Sequence, residues 1–233
     1  MMHRRMTGWV AGVAMMALLF GSARAWADDA QDARQLVEKA KLTVEQFQTD
    51  TNMGSLRDLA KKAKGMLILP QMLRGAFIVG ASGGSGVLVA RDEKAGKWRG
   101  PAFHTLGGAS FGFQAGADAA EVIILAMTER GVTKLLSPQV KLGADISVAA
   151  GPVGVGAAAA TAGLSADLVS YSMSKGLYGG FSVDGSVVGV RTALNQAFYG
   201  KPVSPTDILI KGAVTSPQAD PLIAVVTKLA SGR

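Results

Sequence analysis

The chain has no cysteine. That excludes a disulfide framework, a thiolate metal site, a cysteine nucleophile and lipoprotein acylation near the N-terminus. Histidine is nearly missing, with His3 and His104 as the two copies. No H-E-x-x-H pattern or cluster of acids accompanies either, so His104 reads as a structural histidine rather than a metal ligand. Aromatics are 6% of 233 residues. That is too few for the two aromatic girdles of a membrane barrel, and helical patterns at both ends argue against one as well. Acids are short too: 17 Asp and Glu face 24 Lys and Arg, a formal net charge of +7. No basic block is interleaved with aromatics, so this mild basicity points to an anionic surface and not to nucleic acid. No exact internal repeat is present.

Glycine is what the chain has in quantity, 30 residues of it. Around it runs a simple order of segments. Arg4 and Arg5 precede the apolar run 10–21, and Ala25-Trp26-Ala27 has the form of a signal-peptidase site. The apolar run is shorter than the roughly 20 residues a membrane span needs. The expectation is a signal peptide over residues 1–27 and one domain over 28–233. Removing Arg4, Arg5 and Arg24 takes the charge from +7 to +4.

Ala33, Val37, Ala40, Val44 and Phe47 repeat at steps of four and three, predicting an amphipathic helix over 30–48. A second helix is expected over 56–64, with Lys61, Lys62 and Lys64 at its C-terminal end and Gly65 as its stop. Met66 to Leu69 then reads either as a buried strand or as a short apolar segment beside a basic cluster, the combination a membrane surface accepts. Residues 76–79 and 87–90 flank a Gly-Ser run, predicting a β-hairpin with 80–86 as its loop. A charged turn over 91–97 leads to a strand at Trp98, and 106–116 is strand-like. Residues 120–127 form a buried strand or short helix, and 128–137 a helix ended by Pro138. The clean alternation over 140–148 predicts one strand. Helices are expected over 192–198, from the Ser204-Pro205 cap to Lys211, and from Pro217 or Pro221 onward.

Two motifs invite catalytic readings and fail on context. Gly80-Ala81-Ser82-Gly83-Gly84 matches G-x-S-x-G, but a nucleophile elbow must join a strand to a helix, and the next segment reads as β. Gly154-Val155-Gly156-Ala157-Ala158-Ala159 matches G-x-G-x-x-A without an acid at the right distance. Carboxylates such as Asp118 and Glu121 could do acid–base work only if burial shifted them, and they read as solvated.

The stretch Tyr171 to Gly185, YSMSKGLYGGFSVDG, reads as strand, glycine turn, strand. With 86–91, 98–103 and 195–200 it resembles the signature segments of the SYLF domain family, in order and spacing, over roughly residues 35 to 230. Arg99 stands where relatives often have serine, and Arg191 where an acid is expected. Eukaryotic members of that family bind lipids and bacterial members are exported. The resemblance therefore implies a non-enzymatic, cofactor-free phospholipid-binding protein of the periplasm, or alternatively an envelope module that binds a protein partner. The lipid contacts expected are Lys61, Lys62, Lys64, Arg74 and Lys175 on phosphates, with Met66, Leu67 and Leu73 as shallow apolar insertions. The fold expected is α+β: a single domain with a bent, mainly antiparallel, glycine-rich sheet between N-terminal and C-terminal helices.

Overall fold

The computed structural model describes residues 6–76, 79–111, 116–154, 165–174, 177–178 and 183–232. The fold is α+β, a mainly antiparallel sheet with helices from both ends of the chain. Helix α1, Met6–Thr49, carries the expected stripe: Ala33, Val37, Ala40, Val44 and Phe47 are all buried. It stops at Asp50, whose carboxylate accepts the Asn52 N–H at 2.8 Å and starts a 3₁₀ turn. Helix α2, Gly54–Ala60, follows at once. It ends before the lysines, and Gly65 is the first residue of a strand rather than a helix stop.

Four long strands come next: β1 Gly65–Ala76, β2 Val79–Asp92, β3 Lys97–Phe111 and β4 Gly116–Ala126. Helix α3, Glu129–Leu135, leads to β5 Gln139–Lys141, β6 Val148–Ala150, β7 Leu168–Ser174, β8 Leu177–Tyr178 and β9 Val187–Val190. Helices α4 Thr192–Tyr199, α5 Pro205–Leu209 and α6 Asp220–Ser231 complete the order. The strand order is β5-β9-β3-β2-β1-β4-β7-β6, with β8 beside β7, and among the strands of the described residues β6 and β7 are the pair that runs parallel.

Two expectations are corrected here. Residues 80–86 are not a hairpin loop; they lie inside β2, paired with β1 on one side and β3 on the other. Pro70 accounts for the glycines of this stretch. It has no N–H for a ladder, and the register of β1 shifts around it on both sides. The displaced β1 backbone presses on β2, where a Cβ at Gly84 would sit 2.3 Å from the Gln71 carbonyl oxygen and one at Gly86 2.4 Å from that of Ile68. Glycine is required there by close approach, not by a turn.

The alternating run 140–148 is not one strand. Gly143, at φ +81°, turns the chain, and the Asp145 carboxylate accepts the Lys141 N–H at 2.8 Å. The Asp184 side chain occupies the space where a Cβ of residue 143 would stand. The two halves, β5 and β6, pair with opposite edges of the sheet. That forces the bend. In a flat sheet the seven inter-strand steps from β5 to β6 would span about 34 Å. The seven residues from Lys141 to Val148 reach at most about 25 Å.

Both faces of the bent sheet are covered, so side chains alternate between two cores. Met66 and Ile68 join Val87, Phe103 and Tyr171 under α1, α2, α4 and α6. Leu67 and Leu69 join Leu88, Leu106 and Ile124, closed by Val140, Leu142 and Ile146 from the edge-joining segment.

Candidate functional site

The basic residues singled out from the sequence occupy two ends of β1. Lys64 is at its start and Arg74 near its finish. From Lys64 to Leu73 is nine residues, about 30 Å of strand. One patch cannot contain both. Leu73, 54% exposed, lies with Arg74, Ser82 and Asp118 around a shallow depression at the far end. Met66 and Leu67 are fully buried in a strand paired on both sides, so they belong to the core and are not available for insertion. Lys175 lies outside the described residues, as does the G-x-G-x-x-A run beyond Gly154.

At the other end, the turn after α2 sets Lys61 and Lys62 on the surface. The Lys61 ammonium meets Asp58 at 2.9 Å. The Arg91 backbone N–H donates to the Lys64 carbonyl at 2.8 Å and its guanidinium to the Lys61 carbonyl at 3.2 Å, which ties β2 to that turn. A cleft of about 690 Å³ opens beside it. Lys64, Arg91, Lys94, Arg99 and Lys211 line it, with Asp92, Glu93 and Glu129 among them and Val132, Leu209 and Ile210 as its apolar part. Ile210 is 52% exposed.

Ion pairs consume part of this charge. Lys64 pairs with Glu93 and, at 3.5 Å, with Glu129; the Glu93 contact holds its ammonium above the usual lysine value. Arg99 pairs with Asp92 and donates to the Ile210 carbonyl at 2.7 Å. Lys211 pairs with Asp207 at 2.9 Å. Lys62, Arg91 and Lys94 make no ion pair with the described residues. They leave this end of the molecule with uncompensated positive charge next to an exposed isoleucine.

Of the residues expected from the sequence, the structure brings Lys61, Lys62 and Lys64 together here. Sequence reasoning missed Arg91, Lys94, Arg99, Ile210 and Lys211 as neighbours. The charged turn at 91–97 was a usable signal. Nothing local placed residues 210–211 beside it, because α5 reaches the cleft through the contact of Ile210 with Arg99.

Catalytic alternatives find little support in the geometry. Ser82 sits mid-strand opposite Gly108, while His104 pairs with Gly86, so the two lie about four residues or 13 Å apart along the ladder. His104 is fully buried between the Ala102 carbonyl at 3.1 Å and that of Leu135 at 3.0 Å. Burial lowers its pKa, with the two carbonyls acting the other way. Among the described residues no group of three His, Asp or Glu is placed to hold a metal ion. No helix among them is long and apolar enough to cross a membrane. Glu121 corrects its expectation: it is half-buried, and desolvation raises its carboxyl above the usual range.

A family model described as "Ysc84: Las17-binding protein actin regulator" matches residues 107–229. Protein YSC84 of Saccharomyces cerevisiae is 36% identical over 171 residues, 71% of this chain and 36% of the yeast protein. LAS seventeen-binding protein 3 of the same organism is 36% identical over 173 residues, 72% of this chain and 37% of its own length. The SH3 domain-containing YSC84-like protein 1 of Homo sapiens is 33% identical over 167 residues, 71% of this chain and 48% of the human protein. The chain thus spans between a third and a half of the length of these relatives.

Proposed function

The chain belongs to the Ysc84 family, the SYLF-domain family its sequence resembles, and on that premise we propose a non-enzymatic binding module that docks on anionic phospholipid surfaces. The observation that carries this reading is Arg91 and Lys94, cations with no ion pair to the described residues, in one cleft with the exposed Ile210, and Lys62 exposed on the turn to which Arg91 is bonded. Cations contribute about 1 kcal/mol each near an anionic surface, and an exposed apolar side chain adds shallow burial at the headgroup boundary. Co-sedimentation with neutral and anionic vesicles, at low and high salt, tests it. Binding to anionic vesicles alone, weakened by salt, is the expected result. Equal binding to both, indifferent to salt, overturns it.

The module works outside the cytoplasm in this proposal. Support comes from the Arg4-Arg5 start, the apolar run and the Ala25-Trp26-Ala27 site. N-terminal sequencing of the protein recovered from cells should read Asp28 first; a chain that still starts at Met1 overturns the export reading.

A second reading has its own observation: relatives named for binding Las17. Here the same cleft would receive an acidic segment of an envelope protein. Retention of such a partner without any vesicle binding would favour it over lipid docking.

A further inference from the structure

The two ends of α3 are pinned by different chemistry. At its start, Thr128 and Arg130 donate to the Asp167 carboxylate, just before β7, at 2.6 and 3.0 Å. At its end stands the Leu135 carbonyl, one of the last carbonyls of a helix, which lack a helical donor. His104 Nε2 lies 3.0 Å from it, and Nδ1 lies 3.1 Å from the Ala102 carbonyl of the same strand. A neutral imidazole has one N–H, so it can serve one of these carbonyls. Ala102 sits in the β2–β3 ladder, whereas the Leu135 carbonyl needs a donor from outside its helix. The proton therefore belongs on Nε2, and the bond it makes ties α3 to β3.

His104 is fully buried and shares its face of β3 with Ala102 and Leu106, in the core that Leu135 and Val140 close. Gly86 of β2 and Val190 of β9 flank it in the sheet. The charged residues on the elements around it, Arg91 and Asp92 of β2, Glu129, Arg130 and Lys134 of α3, Lys141 of β5 and Arg191 after β9, do not act on the ring. Burial holds its pKa below the usual histidine value, against the pull of the two carbonyls. A second proton puts a cation into an apolar core with no carboxylate acting on it, and that cation gains by reaching water. We propose that His104 is an acid-released latch: its neutral ring holds the C-terminal end of α3 on β3, and protonation frees that end while Asp167 keeps the other. The two pins release in different ranges. The Asp167 carboxyl is held below the usual range, first by Thr128, and stays charged in mild acid. β5, next along the chain, is a three-residue edge strand and resists little. The freed helix bears Val132 and Thr133 of the cationic cleft, so acid reshapes that wall. The latch itself stands whether or not the cleft docks on lipid.

Nitrogen-15 NMR of the full chain at about pH 7.5 reads the tautomer. The His104 ring should be neutral with its proton on Nε2, and should titrate below the free histidine value of about 6.5. Hydrogen exchange, corrected for the intrinsic effect of pH on the exchange rate, reads the latch. Protection over residues 134–141 should fall in the wild type as pH drops from about 7.5 to about 5, by at most about tenfold per pH unit below about 6.5. Protection in β1 and β4 should hold over that range. His104→Gln keeps a donor for Leu135 without a titrating ring, and should keep the protection constant. His104→Leu removes the donor, and should show low protection at every pH. A proton on Nδ1, a ring charged at pH 7.5, the same fall in wild type and His104→Gln, full protection in His104→Leu, or a loss shared evenly with β1 and β4 overturns the proposal. Circular dichroism checks that the variants fold; if neither does, the wild-type tautomer, titration and spread of exchange decide.

Discussion

At the scale of single residues, the sheet rests on where β1 crowds β2. A methyl at position 86 would stand 2.4 Å from the Ile68 carbonyl oxygen, a backbone atom of a strand paired on both sides. Gly86→Ala should therefore destabilise the fold by about 2–3 kcal/mol, as overpacking does, seen as a lower urea midpoint. Gly75 has nothing within 4 Å of its Cβ position, and Gly75→Ala should stay within about 0.5 kcal/mol. Glu121 makes the second residue-scale prediction. Its folded carboxyl is raised by burial, so the folded state holds the proton more tightly than the unfolded chain. Stability should then fall as pH rises from the unfolded value of about 4.3 through the raised folded one. Glu121→Gln should remove that part of the pH profile in thermal melts. The Gly-Ser run at 80–86 and the carboxylate at 121 were both visible in the sequence. Their roles were not, because crowding by a displaced strand and burial under α1 are contacts between distant segments.

At the scale of elements, Asp167 joins three of them. Its carboxylate accepts from the Thr128 hydroxyl at 2.6 Å, the Ser147 hydroxyl at 2.9 Å and the Arg130 guanidinium at 3.0 Å. Thr128 in turn caps α3 by accepting the Gly131 N–H at 3.0 Å. This fastens the start of β7 to α3 and to the segment entering β6. The Thr128 bond leads the causes that hold the Asp167 pKa low. A lowered folded pKa means its stabilisation is complete above the unfolded value of about 3.9 and is lost as pH falls through the folded one. Asp167→Ala should cost about 2 kcal/mol at pH 7, with the difference from wild type shrinking below about pH 4. The α5 start is simpler, since Ser204 and Asp207 form a reciprocal capping box. Ser204→Ala should lower stability by about 1 kcal/mol. That cap was legible as Ser204-Pro205, because capping needs only neighbouring residues. The Asp167 knot was not, since its donors come from residues 20 to 39 positions away.

At the scale of the whole molecule, the two ends of β1 are different surfaces. One carries Arg91 and Lys94 in a cleft with Ile210 and Lys62 on the adjoining turn, and the other carries Leu73 and Arg74. Reversing Lys62, Arg91 and Lys94 together to glutamate removes about 3 kcal/mol of attraction. Affinity for anionic vesicles should then drop by at least about 100-fold. Leu73→Ser, at the far end, should leave it unchanged. Strong loss with Leu73→Ser and none with the triple change would move the docking face to the opposite end.

The sequence by itself determined what short-range chemistry can specify. The α1 stripe, the cap of α5, the charged turn and the glycine-rich β character follow from periodicity and from contacts a few residues long. The family signature was legible for the same reason, as local runs in a fixed order. Tertiary structure decided the rest. It split the 140–148 alternation across two sheet edges, because the turn at Gly143 depends on the space that Asp184 fills. It made the 80–86 run a central strand, because β1 and β3 pair with it on both sides, and its glycines meet the β1 backbone where the register shifts around Pro70. It buried Met66 and Leu67 and carried Arg74 to the far end of β1, while α5 brought Ile210 and Lys211 to the lysines. Each of these depends on which distant segments touch, and a one-dimensional pattern of apolar and charged residues does not encode the distance between them.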